Sequence, residues 1–361
     1  MVKNSFLKNF EIEIVCMLIA VIIIIIIILN KNKHTFWSKQ PVTHHNTNYK
    51  EGIISKVPKF NIKFTNSNHY IKYDLEFAKI NKFLISNFSS NYNVDSTYLE
   101  YIFNKKHSKN ISLMEKNNII GFINSSPINI HYNNKIINFQ YVDFLCIKKK
   151  YRNRKIATVL ISTLINSFSN PNLIILFKIE GRPLPFKHIV KSNFYVKSLL
   201  EIKPSSNTNI KTIDIDNFTK IYKYVCDLLK CYKFHTGYSK SDFFEIFIEK
   251  RILELYIIKN TSKFDTIVIG KKTTYNINKN IYNCFEIDYI LGENRYSKDV
   301  IKRLSKYLKN LGYNYIVISG LGSNYNFIKY NNFEKGNTHY YYTYNYNING
   351  MKNYDFCFNI N

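Results

Sequence analysis

Paired cysteines are missing from this chain of 361 residues. Its six cysteines, Cys16, Cys146, Cys226, Cys231, Cys284 and Cys357, are scattered, with no Cys-x-x-Cys spacing and no His-x-x-x-His nearby. That argues against a disulfide scaffold and a structural zinc site, so no metal ligand set is expected. Isolated thiols fit a reducing compartment. Acidic residues are also scarce: 25 Asp and Glu face 51 Lys and Arg, a formal net charge of +26. Such a balance ordinarily points to nucleic acid or an anionic membrane surface. Here the composition leans throughout on Lys, Asn, Ile, Tyr and Phe, whose codons are A/T-rich, so the excess is read as the imprint of a biased genome plus one local anion site. A nucleic-acid binder or basic virion protein would need a broad basic face with exposed aromatics. The densest basic run sits instead in a single turn, and no specific nucleic-acid partner is expected. Tryptophan occurs once, as Trp37 in a polar segment. Hydrophobic residues make up 45% of the chain, which excludes global disorder.

Residues 14–29 form one uninterrupted apolar run. At ~1.5 Å per residue a helix there is roughly 24 Å long, a little short of a ~30 Å hydrocarbon core. No small-residue cleavage site follows. The expectation is a polar tail, 1–11, then a retained single-pass transmembrane helix, 12–30. Lys31, Lys33 and Lys39 follow the run, while Lys3 and Lys8 before it are accompanied by Glu11 and Glu13. That bias places the C-terminal body in the cytosol.

The rest reads as an α/β (α+β) body. Strand-like segments rich in β-branched and aromatic residues include 119–125, 130–147 and 172–179. Between the last two, Ile156, Val159, Leu160, Leu164 and Phe168 mark one face of a helix over 155–168. The second half repeats the plan, with strands at 283–291 and 313–320 flanking a helix over 298–311. Ser297 is its expected N-cap, Gly312 its stop, and Val300, Ile301, Leu304, Leu308 and Leu311 its buried stripe. Two such units imply tandem lobes, 31–200 and 201–361, divided in the polar stretch 201–212.

Only the first lobe carries a basic strand-to-helix turn. In residues 148–155, "KKKYRNRK", six of eight side chains are cationic. A helix N-terminus offers unsatisfied N–H groups and partial positive charge, so this turn suits a pyrophosphate with a further phosphate nearby. Coenzyme A carries that set, and one cofactor-type site is expected.

The run "FLCIKKKYRNRKIATVLI", 144–161, resembles the acyl-CoA-binding segment of glycylpeptide N-tetradecanoyltransferases, the N-myristoyltransferases. "HTFWSKQPV", 34–42, resembles that family's start motif, and "GFINSSPINIHYNNK", 121–135, a further segment. "NTHYYYTYNY", 337–346, is similar to its tyrosine-rich strand. The motifs follow the family's order. The resemblance implies two acetyltransferase-like (GNAT) lobes sharing a saddle-shaped, mainly antiparallel sheet. The first lobe would bind myristoyl-CoA as co-substrate, with no permanently bound cofactor. The second would supply much of the groove for N-terminal glycine peptides, in a monomer. Thr35, Phe36 and Trp37 match CoA-contacting positions. Phe144 and Leu145 match the pair whose N–H groups form an oxyanion hole, where such donors stabilise the alkoxide formed as an amine attacks a thioester. Cys146 and Ile147 continue that strand, with Cys146 read as a small buried hydrophobe. Asn153, Arg154, Lys155, Ile156 and Ala157 match the phosphate cradle. The resemblance assigns the base to the chain-terminal carboxylate, here that of Asn361.

Four departures bear on this. Asp143 stands where the family usually has Asn, placing a carboxylate beside the expected base that would assist it or repel it. Ile179 replaces a Thr that helps position the amine, and Val196 a substrate-contacting His. Asn66, Ser67 and Asn68 replace an acidic cluster for a peptide Lys. The alternative reading is therefore a catalytically impaired, membrane-tethered acyl-CoA or lipidated-peptide binder.

Overall fold

The computed structural model describes residues 17–22, 36–64, 66–88, 92–204, 209–259, 265–277, 280–292 and 298–358. The anchor expected over 12–30 lies outside these residues except for 17–22, which are helical and exposed. Among the described residues no helix is long and apolar enough to cross a membrane. The transmembrane helix is thus not supported by the structure.

The first half runs through strands β1 (Gly52–Ile53) and β2 (His69–Tyr73), helix α1 (Phe77–Asn87), β3 (Tyr92–Val94) and α2 (Ser96–Asn104). It continues through β4 (Lys109–Glu115), β5 (Asn118–Tyr132), β6 (Lys135–Ile147), α3 (Ile156–Asn166), β7 (Ile175–Glu180) and β8 (Val190–Ser198). The second half begins with β9 (Ile210–Thr212), α4 (Phe218–Leu229), β10 (Phe234–Thr236), α5 (Lys240–Phe244) and β11 (Glu254–Ile258). Next come β12 (Thr266–Ile277), β13 (Asn280–Leu291), α6 (Lys298–Asn310), β14 (Tyr315–Ser319) and α7 (Asn324–Tyr330). It closes with β15 (Glu334–Tyr344), β16 (Tyr346–Asn347) and β17 (Phe356–Cys357).

Fifteen of these strands form one sheet, whose main path is β17-β10-β5-β6-β7-β15-β8-β14-β13-β12-β11-β9. Among the described residues the pairing is antiparallel except at β6–β7, β13–β14 and β10–β17. The first two exceptions are the strand–helix–strand units read from the sequence, β6-α3-β7 and β13-α6-β14, since a parallel pair requires a crossover connection. The halves exchange strands: β15, from the end of the chain, lies between β7 and β8.

Helix α3 buries Ile156, Val159, Leu160 and Leu164 against β4 and β5. Gly121 on β5 lets it approach, because a Cβ there would sit 2.9 Å from Leu160 Cδ1 and 3.1 Å from Ile156 Cγ2. In α6, Val300, Ile301, Leu304 and Leu308 are buried as expected, whereas Leu311 is exposed. The helix has stopped before it. Gly312, at φ +84°, donates to Lys309 O while Tyr313 N–H donates to Leu308 O, a Schellman closure that swings Leu311 off the apolar stripe. The proposed cap Ser297 lies outside the described residues.

Candidate active site

The basic turn opens from the C-terminal end of β6. Lys149–Tyr151 form a short 3-10 turn, after which Asn153 and Lys155 adopt left-handed backbone at φ +64° and +59°. Such a conformation suits Asn and costs a lysine about 1 kcal/mol or more. It lifts Arg154 and Lys155 off the body as exposed side chains and delivers the chain into α3. Arg152 is spent locally: its Nε donates to Ile147 O at 3.1 Å and its terminal nitrogen to Asn87 O at 3.3 Å. Lys150 and Arg154 flank the Tyr151 ring at 4.8 and 5.6 Å. Asn153, Arg154 and Lys155, together with Asn66, His69 and Glu115, line a cavity of about 440 Å³. The helix N-terminus, Arg154 and Lys155 therefore face a space able to take phosphate groups.

Sequence reading missed the other wall of that cavity. Glu115 accepts from the Tyr151 hydroxyl and faces His69 Nε2 at 3.1 Å. Tyr151 above all, and His69 after it, hold the Glu115 carboxyl below the usual carboxylate range. These residues come from β2, β4 and the turn, so only the paired sheet brings them together. Asn66 also lies here, beside the basic turn.

One turn upstream, β6 carries a bulge. Phe122 pairs with Cys146 and Asn124 with Asp143, leaving Ile123 opposite both Phe144 and Leu145. Phe144 takes φ +54°, an uncommon conformation for a bulky residue. Ring contacts with Phe88 at 5.4 Å and Phe103 at 5.5 Å hold it there. The bulge interrupts the ladder at Phe144 and Leu145, the kind of irregularity that redirects backbone groups away from regular pairing. The Phe144 N–H donates to Asp143 Oδ1 at 2.8 Å. Loss of hydration raises the Asp143 carboxyl above its ordinary value, against the pull of Lys178 and of that hydrogen bond. Burial pushes the Cys146 thiol up to about 12, so it is an inert packing group.

The second half of the chain repeats the bulge without the basic turn. Ile269 pairs with Tyr289 and Gly270 with Ile287, leaving Asp288 as the extra residue on β13. Asp288 and Glu286 flank the buried Lys271 ammonium at 3.0 and 3.5 Å. The removal of three charges from water is offset by their mutual attraction, and breaking up such a set is costly. The Asp143 carboxyl feels the charges of Lys271 and Glu286.

The start motif packs onto the end of β15. Trp37 stacks on Phe177 at 5.9 Å and leans on Phe186 at 5.2 Å, while Phe36 stacks on Phe60 at 6.0 Å. Gln40 accepts from the Tyr344 hydroxyl, and Asn345 N–H donates to Pro41 O. Two motifs some three hundred residues apart are thereby joined.

Of the residues expected in the site, Phe144, Leu145, Cys146 and Ile147 lie on the bulged end of β6. Asn153, Arg154 and Lys155 form the turn, and Ile156 and Ala157 begin α3. Ile156 itself points into the core. Thr35 and Asn361 lie outside the described residues. Ile179 pairs with Tyr340 on β15, and Val196 with Val317 on β14.

Residues 49–172 match a family model described as the N-terminal domain of myristoyl-CoA:protein N-myristoyltransferase. A provisionally named glycylpeptide N-tetradecanoyltransferase of Amsacta moorei entomopoxvirus is 30% identical over 177 residues, 48% of this chain and 54% of that one. The glycylpeptide N-tetradecanoyltransferase of Plasmodium falciparum (isolate 3D7) is 28% identical over 155 residues, 35% of this chain and 37% of that one. The chain thus spans about half or less of the length of these curated relatives. In fold, it is similar to Saccharomyces cerevisiae N-myristoyltransferase with bound myristoyl-CoA, at a TM-score of 0.72 and 13% identity. That likeness covers 88% of this chain and 93% of the yeast one. Residues 49–172 thus resemble the N-terminal domain of the N-myristoyltransferase family in sequence, and the chain over most of its length resembles the yeast enzyme in fold.

Proposed function

We propose that this protein transfers myristate from myristoyl-CoA to the N-terminal glycine of protein substrates. The observation that carries the reading is the adjacency, on one strand, of the Phe144–Leu145 bulge and the cationic entrance to α3. The turn would hold the phosphates of the co-substrate while the bulge receives the thioester carbonyl. The glycine amine attacks that carbonyl carbon, a C–N bond forms, the C–S bond breaks, and coenzyme A departs as the thiol. Leu145 N–H and, once Asp143 yields it, Phe144 N–H would stabilise the intermediate oxyanion. The proton leaving the amine goes to the Asn361 carboxylate in this reading and passes from there to the departing thiolate, with Asp143 as an assisting carboxylate. Phe36 and Trp37 would close the acyl-CoA site from the far side of β7.

The Asp143–Phe144 contact also supports a second reading, an acyl-CoA binder with little turnover, because one oxyanion donor is already engaged. A single assay separates the two. Incubating the purified chain with radiolabelled myristoyl-CoA and a Gly-initiated peptide should give acylated peptide, and none when the glycine is N-acetylated. Tight acyl-CoA binding without any product would favour the second reading, and neither binding nor product would end both.

A further inference from the structure

A second cavity, of about 480 Å³, lies away from the basic turn. Thr43, His45 and 47–49, with 187–189 and 347–350, wall it, the first group lying on the chain that leaves the Trp37 motif. The walls are tied to one another. Thr43 O accepts from Lys187 N–H at 2.8 Å, and Thr43 Oγ1 donates to Asn347 Oδ1 at 3.0 Å. Asn347 Nδ2 in turn donates to Tyr49 O at 2.8 Å. The space is therefore preformed, and preformed polar cavities of this size are where small ligands bind.

Its charge is one-sided. Lys187, His45 and His188 line it, and no Asp or Glu does. The Lys187 ammonium bonds only a neutral acceptor, Thr47 O at 3.3 Å, and no carboxylate pairs with it among the described residues. Glu51, close by, is engaged by the Tyr132 hydroxyl at 2.7 Å and by Asn349 at 3.5 Å. The His188 ring is set edge-on against Tyr340 at 5.2 Å and Tyr342 at 6.2 Å, which fixes its direction. We propose that this cavity is an anion site for a small molecule bearing a phosphate or diphosphate, held by Lys187, His188 and His45. Partial burial and then the charges of Lys191 and His45 depress the His188 imidazole, which is what converging positive potential does to a base. A bound dianion would relieve that repulsion. The proposal is independent of the transfer reaction.

Pyrophosphate is the probe, and the basic turn is its competing site. Calorimetric titration of pyrophosphate into the full chain should show two classes of site. In Arg154→Ala/Lys155→Ala one class should remain. Adding Lys187→Gln and His188→Gln to that background should weaken the remaining class about tenfold or more. These last two side chains are surface groups, so the fold is retained. In parallel, the imidazole proton resonances of His45 and His188 should move on adding pyrophosphate to the Arg154→Ala/Lys155→Ala chain. Loss of all pyrophosphate binding with Arg154 and Lys155 alone would overturn the proposal, as would histidine resonances that stay in place.

Discussion

The carboxylate of Asp143 accepts the backbone N–H of the residue that follows it, Phe144, at 2.8 Å. It thereby braces a strained φ of +54° and occupies one of the two donors the bulge presents. Asp143→Asn keeps an acceptor oxygen in place and removes the charge. It should lower kcat by less than about tenfold. A Gly-Gly extension beyond Asn361, which displaces the terminal carboxylate, should cost roughly 10²–10⁴-fold. Steady-state rates of both variants check the order, and the reverse order would make Asp143 the base.

Arg154→Ala with Lys155→Ala should weaken coenzyme A binding by about 1–3 kcal/mol. The residual affinity should also depend less on salt, because two screened phosphate contacts are gone. Calorimetry between low and high ionic strength measures both effects, and an unchanged affinity would remove the phosphates from this turn.

Gly121→Val should destabilise the protein by about 1–3 kcal/mol, as overpacked cores commonly do. The new side chain meets Leu160 and Ile156 at the first turns of α3. Coenzyme A affinity should fall with it, since the helix that delivers the turn must shift. Urea unfolding and coenzyme A titration of the same variant report the two together.

His131 and His235 stack at 4.8 Å across the β5–β10 pairing. Burial lowers His235 to about 4, and His131 is lowered for the same reason. A base depressed in the fold takes its proton more readily when unfolded, so these residues leave stability unchanged above pH ~6.5. Stability then drains away as pH falls from there towards 4, by on the order of 3 kcal/mol at most for His235. Thermal melting across that range should show the decline, and His235→Asn should flatten it.

What could be read from the chain and what could not divides along physical lines. The stripes Ile156–Leu164 and Val300–Leu308 announce their helices because side-chain period is a local property. Leu311 continued the period on paper, but the Gly312 closure ended the helix first. The basic turn was visible as consecutive charges, whereas its Glu115–His69–Tyr151 wall needs three segments brought together by pairing. The Lys271–Glu286–Asp288 cluster was hidden for the same reason, since nothing in a single strand shows that its lysine faces inward. Similarly, the resemblance singled out Phe144 and Leu145, while the bulge that carries them and the Asp143 hydrogen bond depend on pairing between strands.

The place of β15 has a consequence for how the chain is made. Strands β7 and β8 leave the ribosome early, yet the strand that joins them spans Glu334–Tyr344. Until those residues emerge, the two earlier strands expose unpaired edges that invite association with other chains. The first half thus waits for β15 before its part of the sheet can close, and the molecule should mature as one late, cooperative event. A nascent chain arrested before Glu334 should be readily cut by protease across β7 and β8, and one released after Tyr344 should resist.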